Sequence, residues 1–113
     1  MNNLENQRCL PCEGGVTPLD KSEVEKHLAE LSKQWTVDPG RLKIQRDFEF
    51  KNYYHTIAFV NAVAWMAHHE DHHPDLEVFY NRCRVHYHTH AIGGLSINDF
   101  ICAKKVDKIF FCQ

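Results

Sequence analysis

The sequence has almost no surplus of charge of either sign. Thirteen lysines and arginines stand against fifteen aspartates and glutamates, a formal charge of −2. That leaves no basic field for nucleic acid and no electrostatic pull toward a membrane. No apolar run is long enough to span a bilayer, and the opening MNNLENQRCLPCEGG lacks the basic-then-apolar order of a signal peptide. These absences point to a cytoplasmic protein without nucleic-acid or membrane partners.

Paired cysteines are missing too. The five thiols (Cys9, Cys12, Cys83, Cys102 and Cys112) are an odd number, which argues against a disulfide framework in a reducing compartment. Cys9 and Cys12 form a C-x-x-C pair, but no second pair exists to complete a zinc knuckle. The pair therefore reads as a surface feature of an N-terminal arm. No internal period marks a repeat protein. A chain of 113 residues is one domain, large enough to bury a modest core unaided.

Residues 1–16 read as a flexible polar arm with Pro11, Gly14 and Gly15, and residues 17–113 as the domain. Asp20-Lys21-Ser22-Glu23 has the form of a capping box, and Val24, Leu28 and Leu31 follow at helical spacing. Asp38-Pro39-Gly40 signals a turn after Trp35-Thr36-Val37. Residues 41–50 then alternate: Leu42, Ile44, Phe48 and Phe50 take one face, interrupted by Arg46. Asn52 can cap a long helix to about Asp71, with Tyr53, Ile57, Val60, Ala64 and Ala67 as its apolar stripe. Pro74 ends it.

Residues 76–80 and 84–90 predict a second hairpin, and Ser96-Ile97-Asn98-Asp99 opens a last helix bearing Phe100, Ile101, Ala103 and Val106. The order helix-β-β-helix-β-β-helix implies an α+β fold, a four-stranded antiparallel sheet with three helices on one face.

Histidine is what the chain has in excess. There are nine, and every one except His27 falls between residues 55 and 90. His69-Glu70-Asp71-His72-His73 fits the H-E-x-x-H pattern of zinc hydrolases, which needs both histidines on one continuing helical face. His73 precedes Pro74, where the helix must end, so the pattern lacks its geometry. His86, His88 and His90 would share one strand face, with neighbours about 6–7 Å apart at roughly 3.3 Å per residue. At most two of the three could serve one ion. Imidazole exchanges protons near neutral pH without a cofactor. From the residues alone, the cluster reads as a histidine-lined acid–base site, metal-free rather than metal-dependent.

These residues resemble a known family, the pterin-4a-carbinolamine dehydratases. The resemblance is carried by His72-His73-Pro74, Tyr80, His90 and Asp99 in that order. FKNYYHTIAFVNAVAWMA is similar to the family's second helix, and THAIGGLSINDFICA to its histidine strand and last helix. The similarity covers roughly residues 20–105, and the arm looks like that of bacterial members.

The resemblance implies a homodimer or homotetramer that dehydrates 4a-hydroxytetrahydrobiopterin to quinonoid dihydrobiopterin, in recycling the cofactor of aromatic amino acid hydroxylases. It implies no metal and no cofactor. His72 and His90 would be the acid–base pair, and His73 would orient the substrate. Asp71, His88, Thr89 and Ala91 would contact the pterin, and Asp99 would orient or polarise His90. Three positions depart from the pattern: His68, His88 and Leu76. The alternatives are a protein-binding role as a transcriptional dimerisation cofactor on the same fold, and the zinc hydrolase.

Overall fold

The computed structural model describes residues 4–10, 17–40 and 42–111. Three helices, α1 (Lys21–Leu28), α2 (Tyr53–Glu70) and α3 (Ile97–Phe111), accompany strands β1 (Thr36–Val37), β2 (Ile44–Glu49), β3 (Asp75–Val78) and β4 (Arg82–Tyr87). The strands form one antiparallel sheet in the order β1-β2-β4-β3. Two sequential hairpins are thus joined edge to edge by β2 and β4, and the α+β fold is as the sequence predicts.

Local chemistry explains the element ends. Asp20 accepts from the Glu23 N–H while the Glu23 carboxylate accepts from the Asp20 N–H, a complete capping box. Asn52 caps α2 by accepting from the His55 N–H. At the other end Asp71 adopts φ 51°, ψ 41°, and the chain leaves the helix before Pro74. Asp38 accepts from the Leu42 and Lys43 N–H groups and so closes the turn between β1 and β2.

One face of the sheet is buried beneath the helices. Ile44 and Phe48 of β2, and Cys83, Val85 and Tyr87 of β4, are fully enclosed with Val24, Phe59, Val63, Phe100 and Val106 from the helices. Arg46 points to this same face. Its guanidinium donates to Asp107 at 2.7 Å and lies over the Phe48 ring at 4.3 Å, so the one charge in the alternation is paired and stacked. Trp35 Nε1 donates to the same carboxylate at 2.8 Å.

Three expectations need amendment. The buried face of α2 is Thr56, Phe59, Val63, Ala67 and Glu70, whereas Tyr53 and Ala64 of the expected stripe are exposed. Leu42 precedes β2 and is exposed. Residues 4–10, expected to pack poorly as part of the arm, lie on the domain. Leu4 is 3% exposed and joins the core, at the start of a 3-10 turn (Leu4–Asn6) against α3. Cys12, and with it the C-x-x-C reading, lies outside the described residues, as does Cys112.

Candidate active site

The left-handed turn at Asp71 sends the chain back across the end of α2. The His72 N–H still donates to the Ala67 carbonyl, but its side chain is thrown toward α3. There His72 Nε2 lies 2.6 Å from Asp99 Oδ1, and the Asp99 carboxylate is wholly buried. The imidazole also stacks on the Tyr87 ring, with centroids 5.6 Å apart and planes 12° off parallel.

The second carboxylate oxygen of Asp99 is equally committed. Oδ2 accepts from the Thr89 hydroxyl at 2.7 Å and from the Ser96 N–H at 2.9 Å. Thr89 Oγ1 is also 2.6 Å from Ser96 Oγ. Because the Thr89 proton goes to Asp99, the Ser96 hydroxyl must donate to Thr89. Every hydrogen bond to the carboxylate therefore arrives from a donor, which keeps it an acceptor for His72 Nε2–H.

The loop between β4 and α3 completes the arrangement. The Thr89 N–H donates to Gly94 O at 2.8 Å, pinching residues 90–93 into a short 3-10 turn (His90–Ile92). Gly93 sits at φ +65°, and a Cβ on Gly94 would meet Pro18 at 2.9 Å, so both glycines are required by geometry. The pinch turns Thr89 inward onto Asp99 and leaves His90 exposed at the surface of the turn.

A cavity of about 330 Å³ opens between these pieces. Asp71, His72, His73, His88, Thr89, His90 and Ala91 all line it, so every expected substrate-contacting residue is gathered here. Asp99 lies behind the wall rather than in it. Its imidazole partner is His72, not His90 as expected. The cause is the 89–94 pinch, which presents Thr89 to Asp99 while the turn after Asp71 delivers His72.

The three-histidine strand face is also revised. β4 ends at Tyr87; His86 sits on the uncovered side, bonded to Glu77 Oε2 at 2.7 Å, and is absent from the cavity lining. His88 reaches Asp75 at 3.2 Å, with its ring 6.0 Å from that of His90.

The residues of the H-E-x-x-H segment point to different parts of the fold. His69 packs edge-on against Trp65 and lines a different groove, while His73 lies beyond the helix end. Glu70 accepts from the Cys9 N–H at 2.8 Å and pairs with Arg8 and Lys105, both at 3.3 Å. Burial would raise its carboxyl. The Cys9 N–H and Lys105 outweigh that and hold it below the ordinary carboxylate range. Among the described residues, no three histidine, cysteine, aspartate or glutamate side chains are grouped to bind an ion.

Sequence reasoning missed Cys9 and Leu10 as cavity residues, together with Glu70 and Asn98. Cys9 Sγ is 3.3 Å from Cys102 Sγ, and Cys102 also reaches the His72 carbonyl at 3.8 Å. The bond to Cys102, with burial, pushes the Cys9 thiol well above its ordinary range. No local pattern announces these contacts, which join residues remote in sequence.

This small α+β domain thus carries a pocket lined by a carboxylate-anchored imidazole, His72, together with His73, His88 and His90. Residues 17–109 match the family model described as Pterin 4 alpha carbinolamine dehydratase, and the chain belongs to that family. A Nitrosomonas eutropha protein named "Putative pterin-4-alpha-carbinolamine dehydratase" is 61% identical over 107 residues, covering 95% of this chain and 93% of that one. A like-named protein of Legionella pneumophila is 50% identical over 108 residues, 96% of each chain. The crystal structure of a transcriptional coactivator/pterin dehydratase from Brucella melitensis superposes with a TM-score of 0.77 at 33% identity, covering 82% of this chain and 98% of that one.

Proposed function

We propose that this chain removes water from 4a-hydroxytetrahydrobiopterin to give quinonoid dihydrobiopterin, by histidine acid–base catalysis that needs no metal. The observation that carries the reading is the convergence of His72, anchored by a buried carboxylate, and His90 on one cavity.

The reaction has two proton demands. The hydroxyl on C4a leaves as water only if it gains a proton, and the N5–H bond must give one up as the new double bond forms. Asp99 fixes the His72 tautomer with the proton on Nε2, so Nδ1 is the nitrogen left to exchange a proton with a ligand. His90, exposed at the cavity mouth, is free to exchange protons with solvent between turnovers. The two rings can therefore supply and accept the protons in one turnover, with either in either part. His73, whose Nδ1 donates to the Pro74 carbonyl at 3.1 Å, is held to orient the substrate.

The product would be reduced again by a separate enzyme and reused by aromatic amino acid hydroxylases. The chain would act in the cytoplasm as a homodimer or homotetramer; the exposed Tyr54, Trp65, Phe79 and Tyr80 offer apolar surface for such assembly. Among the described residues no helix is long and apolar enough to cross a membrane.

Stopped-flow measurement of 4a-hydroxytetrahydropterin loss tests the reading. Chelator-treated wild type should accelerate it, and His72→Ala and His90→Ala should fall toward the uncatalysed rate. Loss of activity on chelation alone would refute the metal-free mechanism, and no acceleration by untreated wild type would refute the function.

A further inference from the structure

Residues 8–10 lie outside the segment that matches the family model, yet Cys9 and Leu10 help to line the candidate active site. We propose that this N-terminal strap is a working wall of the pterin pocket, with Leu10 a substrate-contacting residue and Glu70 and Asn98 the positioning residues that hold it; this rests on the pocket assignment above.

The attachment is specific. Asn98, buried on the first turn of α3 beside Asp99, uses both ends of its amide on one residue. Its Oδ1 accepts from the Leu10 N–H at 3.1 Å, and its Nδ2 donates to the Leu10 carbonyl. A side chain here imitates the two-way pairing of a neighbouring strand. Glu70 accepts from the adjacent Cys9 N–H and pairs with Arg8, whose guanidinium also reaches the His69 carbonyl at 3.3 Å. The Cys9 thiol closes the third side against Cys102.

These contacts fix the backbone and leave one group unspent. Leu10 is 71% exposed although its backbone is pinned on both sides. A leucine held this firmly at the edge of a polar cavity has little to gain from solvent. It gains if a flat, largely apolar ring system enters beside it, because that event removes its surface from water. The cavity's other side chains are four imidazoles, two carboxylates, an amide, a thiol and a hydroxyl, with the Ala91 methyl, and these recognise polar edges while leaving most of a ring face uncovered. Leu10 is the one large aliphatic side chain in the lining and can cover it.

Leu10→Gly, Leu10→Met and Asn98→Ala in the full chain test this, with biopterin as a non-reacting probe titrated by fluorescence. Leu10→Gly should weaken biopterin binding by about 3- to 10-fold, the effect of losing part of a buried leucine contact. The KM for the carbinolamine should rise similarly and kcat change far less, while Leu10→Met restores most of both. Asn98→Ala should weaken binding in the same direction and speed amide exchange at Cys9 and Leu10.

Unchanged biopterin affinity in Leu10→Gly would overturn the proposal, as would amides at Cys9 and Leu10 that exchange as freely in wild type as in an unstructured peptide. Wild type that binds no biopterin would overturn the pocket assignment itself, and the strap's role with it. The surface position of Leu10 keeps the test informative even if Asn98→Ala does not fold.

Discussion

His72 Nε2 and Asp99 Oδ1 are 2.6 Å apart, and Asp99 has no exposure to solvent. One residue follows the end of a helix and the other begins a different one, so their meeting is a product of the tertiary fold.

That relationship sets the first expectation. Asp99→Asn keeps the volume but replaces one acceptor oxygen with an N–H donor, which can no longer hold the His72 proton on Nε2. The dehydration rate should fall by about 10²-fold or more, the usual range for a disabled acid–base group. Circular dichroism should show the fold retained; a rate within twofold of wild type would remove Asp99 from the mechanism.

Glu70 makes stability depend on acidity. Its carboxyl titrates below its ordinary value of 4.5 in the folded chain, so its contribution is complete above that value and is lost as pH falls through the folded one. Glu70→Gln should therefore cost about 1–3 kcal/mol near neutrality. The gap should shrink near pH 3. Urea midpoints at the two pH values measure it, and an unchanged gap would contradict the ion-pair account.

Cys9 should be sluggish toward electrophiles. Its thiol is held above the ordinary range by Cys102 and by burial, and the thiolate is the reacting form. Peptide mapping after brief iodoacetamide treatment at pH 8 should show Cys9 labelled at least about tenfold more slowly in the native than in the denatured chain. Equal labelling would mean that the strap is undocked.

Phe48 is the aromatic hub of the core. Its ring lies 4.8 Å from that of Phe59, 5.0 Å from Phe110 and 6.2 Å from Trp35, and Arg46 covers it. Phe48→Ala should lower stability by about 3–5 kcal/mol, read as a shifted denaturation midpoint with an unchanged slope.

Local signals in the chain carried local structure well. Asp20 and Asn52 fix helix starts through side-chain chemistry that acts within a few residues, and each does so in the fold; α2 ends ahead of Pro74, at the left-handed Asp71. The alternation of Ile44, Arg46 and Phe48 was legible for the same reason, down to the interrupting charge.

The buried face of α2 was not. Ile57 and Trp65 lie off that face while Val60 and Met66 pack against the core at its margins, so apolar residues run far round the helix and periodicity cannot fix the centre of the buried side. The gathering of His72, His73 and His90 could be read through family resemblance. The choice of Asp99's partner could not, because it depends on a left-handed residue at 71 and a pinch at Thr89–Gly94. Glu70 was misleading for a related reason: the H-E-x-x-H spacing is local, whereas its partners Arg8, Cys9 and Lys105 come from both ends of the chain.

The pairing of β2 with β4 has a kinetic consequence. Residues 44–49 must find residues 82–87, with all of α2 and β3 closed into the intervening loop. Such a search is slow compared with forming either hairpin. Tyr87, the ring beneath His72, is the β4 residue that pairs with Ile44, and Thr89 follows two positions later. Competence for the proposed proton transfer should therefore emerge late and all at once during refolding, making the proposed activity a clock for the final closure of the sheet.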